Sequence, residues 1–256
     1  MPTHITILGS GTGVPSLTRN PCAVLVKTGG RNLLLDCGAG VMRRLLEVGV
    51  AIYDIAYLFL SHFHPDHAGE LAALLFALKH PPSSVRPQPL TVVAGQGFHA
   101  FYAHLQAAFG NCIVPPPERF EVIEMDVGGA DRLTFPGFRV ASTPVAHHPE
   151  SLAYRIVDAC GKTVVYSGDS DRCEGLAAIA AAADVMICEA AFPDALKTDG
   201  HLTPSLAGAI ARDAGVKRLV LTHFYPSCEG VDIEKECRSA YSGAIVLARD
   251  KMTLTV

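Results

Sequence analysis

The chain has no C-x-x-C pair, no long apolar run and no surplus of positive charge, and each absence removes a class of function. Its 21 Lys and Arg stand against 25 Asp and Glu, a formal net charge of -4, so no general basic character invites nucleic acid. No stretch reaches the ~18 uninterrupted apolar residues of a membrane span, and the apolar segment Leu71 to Leu78 is too short for one. The opening His4-Ile5-Thr6-Ile7-Leu8-Gly9 reads as a strand and lacks the basic segment and apolar core of a signal peptide. The eight cysteines, at Cys22, Cys37, Cys112, Cys160, Cys173, Cys188, Cys228 and Cys237, are too sparse for a secreted disulfide framework. They read as buried or free thiols in a reducing cytoplasm, so a soluble cytoplasmic protein is expected.

What is present supports a large core. Hydrophobic residues make up 49% of the 256 residues and charged residues 18%, which excludes disorder. Ile5 to Leu8, Ala23 to Lys27 and Asn32 to Leu35 read as strands, with Gly29-Gly30 turning the last two into a hairpin. Val41 to Val48 reads as a helix, Tyr57 to Leu60 as a buried strand and Gly69 to Leu78 as a helix. Pro81, Pro82, Pro87 and Pro89 mark a loop, followed by a strand at Thr91 to Ala94 and a helix at His99 to Phe109. Strands are expected again at Arg139 to Ser142, Leu152 to Val157, Thr163 to Tyr166, Val185 to Cys188 and Arg218 to Leu221. Helices are expected at Gly175 to Ala183 and at Ser205 to Ala214, the second capped by Thr203 and closed by Gly215. Two groups of strands, each followed by helices, predict an α/β chain with two mixed sheets packed together and helices outside. Metal-type residues fall on both sides of the prolines, so residues 1–256 read as a single domain.

The densest chemistry lies in Ser61-His62-Phe63-His64-Pro65-Asp66-His67, directly after an apolar strand. Neutral imidazole and carboxylate both donate lone pairs to zinc at ~2.0–2.2 Å. A tight turn at a strand end can aim His62 and His64 at one ion while Asp66 and His67 face a second. A polar surface loop would rarely gather three of only 11 histidines into six consecutive positions. One loop cannot complete two sites, and other strand ends offer the rest: Val145-Ala146-His147-His148, Tyr166-Ser167-Gly168-Asp169-Ser170 and Leu219-Val220-Leu221-Thr222-His223. Taken singly, a His or Asp after a strand is more often structural. Four such ends in one chain are what a shared pocket looks like.

The pattern H-x-H-x-D-H, a later His, then S-G-D, then T-H after an apolar strand resembles the metallo-β-lactamase superfamily over nearly the whole chain. Leu8-Gly9-Ser10-Gly11-Thr12-Gly13-Val14-Pro15 and Leu34-Leu35-Asp36-Cys37-Gly38 resemble its ribonuclease Z-like branch. The resemblance implies a four-layer αββα sandwich. It implies His62, His64 and His147 on one zinc, Asp66, His67 and His223 on the other, and Asp169 bridging both. The choice of His147 over His148 follows the family spacing, in which the ligand stands seven residues before the Tyr of an A-Y-R-I segment, here Tyr154. His148 then packs behind a ligand or faces substrate. Cys188-Glu189-Ala190-Ala191-Phe192 and Gly200-His201-Leu202-Thr203-Pro204 match segments of phosphodiesterase members. By that analogy His201 protonates the leaving oxygen and Glu189 orients it; the plainer alternative is a turn before a helix with His201 in solvent. Asp36 is expected as a buried structural acid. The Gly9-x-Gly11-x-Gly13 loop is no dinucleotide site, because Pro15, Pro21 and another strand follow it.

The resemblance implies a hydrolase that uses a metal-bridging hydroxide as nucleophile, with Asp66 in the catalytic constellation. Two Zn2+ are expected, although Mn2+ or Fe suits the same donors. Full ribonuclease Z enzymes carry a long arm for transfer RNA between the later His and the bridging Asp. Here His147 and Asp169 leave no room for it, and that branch's G-E-G-T-Q segment is altered to Gly38-Ala39-Gly40-Val41-Met42. The expected substrate is therefore a small phosphodiester or a short nucleic acid, with transfer RNA in doubt. Two other readings stay open: a metallo-hydrolase of another ester class (lactonase, arylsulfatase or thioesterase), and a non-hydrolytic metal-binding or iron oxidoreductase role. Family members often pair, which leaves a homodimer open.

Overall fold

A computed structural model describes every residue except Met1, Ser84, Arg86 and Pro87, so the expectation of a loop at Pro87 lies outside the described residues. The strands are β1 (His4–Gly9), β2 (Ala23–Thr28), β3 (Arg31–Leu35), β4 (Ile55–Leu60), β5 (Leu90–Gly95), β6 (Phe120–Met125), β7 (Asp131–Phe135), β8 (Phe138–Pro144), β9 (Leu152–Asp158), β10 (Thr163–Tyr166), β11 (Val185–Glu189), β12 (Arg218–Thr222), β13 (Ala244–Leu247) and β14 (Thr253–Thr255). The α-helices are α1 (Val41–Glu47), α2 (Pro65–Ala68), α3 (Leu71–Lys79), α4 (Phe98–Phe109), α5 (Glu174–Ile179), α6 (Pro204–Asp213) and α7 (Ile233–Arg238).

The strands form two seven-stranded sheets, ordered β14-β1-β2-β3-β4-β5-β6 and β13-β12-β11-β10-β9-β8-β7. Strands β3 to β6 run parallel in the first sheet, as do β10 to β13 in the second. Strands covered on both faces lose the apolar–polar alternation, which is why Ile55–Leu60 and Val185–Glu189 read as almost unbroken apolar runs. Ile5, Val24, Leu33, Phe59 and Val93 of the first sheet meet Val140, Tyr154, Ile156, Tyr166 and Val220 of the second in the central layer. On the outer face of the first sheet, Leu25, Leu34 and Leu58 pack against α1, α3 and α4. Val165, Met186 and Leu219 pack outward against α5, α6 and α7. This is the expected αββα sandwich.

Local departures have local causes. Helix α5 stops at Ile179 rather than Ala183, because Ala182 turns to φ 51° and sends its N–H to the Ala214 carbonyl at 2.7 Å. Thr203 occupies the N-cap of α6 but its side chain caps nothing. Pro204 at the first helical position removes one donor, and the distant Asp194 Oδ1 accepts the Ser205 N–H at 3.1 Å instead. Gly215 closes the helix at φ 66°, and Gly29 and Gly30 turn the hairpin at φ 56° and 71°, as expected. Strands β6, β7, β13 and β14 and helix α7 went unread in the sequence. All eight cysteines are free thiols. Among the described residues no helix is long and apolar enough to cross a membrane.

Candidate metal centre

The parallel strands of both sheets end on the same side of the sandwich, and the chemistry-bearing residues stand at those carboxyl ends. His62 follows β4, His147 lies between β8 and β9, Asp169 follows β10, Glu189 ends β11 and His223 follows β12. Two hydrogen bonds tie the sheets together there: Tyr154 Oη donates to the Leu60 carbonyl (2.8 Å) and Leu152 N–H to the Ser61 carbonyl (2.9 Å). The Tyr154 that served as a spacing landmark thus fixes the end of β4 against β9.

The expected donors converge in two groups. His62, His64, His147 and Asp169 can offer ligand atoms within 4.8 Å of one another, and so can Asp66, His67 and His223. Asp169 faces both. Its Oδ2 lies 3.7 Å from His62 Nε2 and 3.9 Å from His147 Nε2, while its Oδ1 lies 3.2 Å from His67 Nε2 and 3.3 Å from His223 Nε2. Gly168 makes this approach: it sits at φ 58°, and a Cβ there would stand 2.5 Å from the Ser61 Cβ.

Outer hydrogen bonds settle where the ring protons sit, and so which nitrogens face inward. His67 Nδ1 donates to Asp36 Oδ2 at 2.6 Å. Ser61 Oγ donates to Asp36 Oδ2 at 2.8 Å, so its lone pair receives His62 Nδ1 at 3.1 Å. His147 Nδ1 donates to the Gly200 carbonyl at 2.9 Å. His64 is turned the other way: its Nδ1 faces the cage and its Nε2 meets His148 Nε2 at 3.0 Å, so His148 packs behind His64. Asp36, fully buried and at φ 60°, also receives Ser61 N–H (2.7 Å) and Tyr166 Oη (2.5 Å), which makes it the structural acid expected. Gly13 N–H holds Asp66 Oδ2 at 2.9 Å.

The inward nitrogens fit a bound cation. His64 Nδ1 lies 3.1 Å from His62 Nε2 and 3.2 Å from His147 Nε2, and His67 Nε2 lies 3.2 Å from His223 Nε2. With the protons of His62, His64 and His147 turned outward, their inward nitrogens are lone pairs facing one another. Four nitrogens around a tetrahedral zinc at ~2.0–2.1 Å stand ~3.3 Å apart. Asp169 Oδ1 is buried and lacks a hydrogen-bond partner, an open acceptor that a bound cation would satisfy. Burial, aided by neighbouring imidazoles, holds His62 and His64 below the ordinary histidine range, as it does His147. They remain neutral, which is the form that binds metal. Burial opposes a charge on His67, but Asp169 and Asp36 outweigh it and raise the imidazole well above its usual range. A place that attracts a proton so strongly attracts a divalent cation for the same reason. Burial likewise opposes ionisation of Asp169 and Asp66, and the histidines around them, His223 foremost, hold both below the carboxylate range.

His201 stands beside this cage, not in solvent. Its Nδ1 bonds Glu189 Oε1 at 3.0 Å, and its ring stacks on His223 with centroids 5.7 Å apart. Glu189, 1% exposed, also receives N–H bonds from Ser170, Ala191 and Leu202. Burial, with Asp169 nearby, pushes this carboxyl upward, and the His201 hydrogen bond opposes that. Burial works against charge on His201 too, yet Glu189 raises its pKa above the ordinary value. Phe192, the aromatic end of the Glu189 segment, and Tyr225, which the sequence did not single out, stack at 4.5 Å and flank His201.

An αββα sandwich whose histidines and aspartates gather at one end of both sheets defines a metal-dependent hydrolase. A model described as the beta-lactamase superfamily domain matches residues 31–224. Ribonuclease Z of Mycobacterium bovis BCG is 31% identical over 275 residues, covering 96% of each chain. Among solved structures, the metallo-beta-lactamase fold protein YhfI from Bacillus subtilis is 25% identical with a TM-score of 0.84, covering 99% of this chain and 100% of that one. Human tRNase Z, short form, is 26% identical with a TM-score of 0.78, covering 98% of each. The chain belongs to the beta-lactamase superfamily, in its ribonuclease Z-like branch, and is a metal-dependent hydrolase of phosphodiester bonds.

Proposed function

We propose that the whole of residues 1–256 works as one two-zinc phosphodiesterase domain in the cytoplasm, acting on small phosphodiesters or short nucleic acids rather than transfer RNA. His62, His64 and His147 would hold one ion, Asp66, His67 and His223 the other, and Asp169 would span the pair. The observation that carries this is the division of the Asp169 carboxylate, one oxygen toward each histidine group. Bound ions would supply positive charge for the phosphoryl oxygens and a water acidic enough to act as nucleophile. The chain's own part is positional and protic. Outer partners orient the rings of His62, His64, His67 and His147, and Asp66 is fixed by Gly13 N–H. His201 spends Nδ1 on Glu189, which leaves Nε2 to hand a proton to the departing oxygen.

The preference against transfer RNA rests on what lies between His147 and Asp169: β9, a tight turn and β10. Ribonuclease Z of Methanosarcina mazei aligns over 308 positions with 99% of this 256-residue chain, so that relative carries segments lacking here. The eight free thiols support the cytoplasmic setting.

The test is metal content by elemental mass spectrometry alongside turnover of bis(p-nitrophenyl) phosphate, a lactone, an aryl sulfate, a thioester and a precursor transfer RNA. Two ions per chain and selective phosphodiester turnover are expected. Faster turnover of a lactone, sulfate or thioester would assign another ester class, and efficient precursor cleavage would overturn the substrate preference.

A further inference from the structure

Beside the cage an aromatic pair has no task in holding metal or moving protons. Phe192 and Tyr225 are both half-buried, stacked at 4.5 Å with their planes 17° apart. Tyr225 reaches the cage edge-on, 5.9 Å from the His223 ring, and Phe192 stands 5.8 Å from His201. Tyr225 also lines a cavity of about 300 Å³ formed by the loop through Thr12, Val14 and Ser16 and by the turn through Phe224 and Val231. One residue thus borders both the reacting centre and an adjoining hollow.

The hydroxyls of Tyr102, Tyr154, Tyr166 and Tyr241 donate to protein acceptors, whereas that of Tyr225 has no partner among the described residues. The cavity wall is mainly apolar. Its cation, Arg19, lies over the Phe224 ring at 4.7 Å and sends Nη1 to Ser10 Oγ and the Ala248 carbonyl. A hollow near the lower end of the ligand-pocket range suits one flat ring system rather than a polymer. An aromatic wall beside a phosphate-cleaving centre is the arrangement by which proteins hold a base without reading its identity.

We propose that Tyr225, backed by Phe192, forms a subsite for the nucleobase of a nucleoside phosphodiester, seating the base in this cavity while the phosphate lies at the cage. The proposal rests on the phosphodiesterase reading and narrows its substrate to esters that carry a nucleoside.

Calorimetric titration of the full-length, zinc-loaded protein with adenosine 5′-monophosphate and with ribose 5-phosphate separates the ring from the phosphate. The nucleotide is expected to bind about ten- to a hundredfold more tightly, the range for one stacked base. Tyr225→Ala should remove about tenfold of that preference and leave ribose 5-phosphate binding unchanged. Phe192→Leu, a milder change should the first variant fold poorly, should remove part of it. Equal affinities for the two ligands, or losses that fall equally on both, would overturn the subsite. Turnover of bis(p-nitrophenyl) phosphate by the parent protein judges the hydrolase reading separately. A ring preference without turnover would keep the subsite and remove the reaction, and turnover without a preference would do the reverse.

Discussion

The two donor groups of the cage are built differently. His67 and Asp66 are held by groups that are themselves fixed: Asp36 is buried and saturated by Ser61, Tyr166 and His67, and Gly13 N–H belongs to a backbone loop. His62 leans on the Ser61 hydroxyl, His147 on one carbonyl, and His64 on the exposed His148. The first side is anionic and its imidazoles His67 and His223 are buried, while the second is neutral and reaches the exposed His148. Electrostatics in a low-dielectric place is strong. The Asp66–His67–His223 side should therefore grip its ion more tightly, and the side reaching His148 should exchange first.

Asp169 is the point at which the two sides meet, so its loss should erase the difference between them. Asp169→Ala is expected to release both ions and bring phosphodiester turnover to background, read by elemental mass spectrometry and rate on the same sample. A variant that keeps its metal and its rate would show that no residue spans the groups. The next largest effect is expected at His201, which stands between His147 and His223 and is assigned the proton rather than a metal. His201→Ala should lower kcat for an alkyl-leaving-group diester by about 10²–10⁴. It should leave metal content intact and spare p-nitrophenyl esters, whose leaving group needs no proton. Because Glu189 raises the His201 pKa, the proton-donating form persists to higher pH than in an ordinary histidine and is lost as pH rises through the raised value. Glu189→Gln should therefore shift the alkaline limb of the rate profile to lower pH. A limb that stays in place would assign it to another group.

How legible these differences were in the sequence depends on the kind of group involved. His62, His64, Asp66 and His67 stand out because one turn gathers them directly after the apolar β4. His147, Asp169 and His223 are single residues after strands, and only a family pattern links them across the chain. The outer partners leave no trace of residue type. Gly13 contributes an amide and Gly200 a carbonyl, atoms that every residue or nearly every residue carries. Asp36 was readable as buried, but its bond to His67 depends on the parallel pairing of β3 with β4, which no local pattern states. The α6 cap misleads for the same reason, since Thr203 has the right chemistry and position while Asp194 arrives from elsewhere in the chain. Strands β13 and β14 are short and lie at sheet edges, where apolar patterning is weakest.

The asymmetry is sharpened by disturbing one outer partner on each side. Asp36→Asn keeps the shape but removes the charge facing His67, and a lost outer partner typically weakens metal binding by about 10–100-fold. Chelator competition on the purified protein should show the larger loss at the ion facing His67 and a smaller one on the His62 side, because Ser61 Oγ links Asp36 to His62. His148→Ala should produce the smallest effect, roughly tenfold or less and confined to the weaker ion, because water can replace an exposed partner of His64 whereas it cannot reach Asp36. His148→Gln, which can still accept from His64 Nε2, should recover part of the loss. If His148→Ala instead weakened metal binding more than Asp36→Asn, the exposed side would be the one on which the cage depends, and the assigned order of the two groups would be reversed.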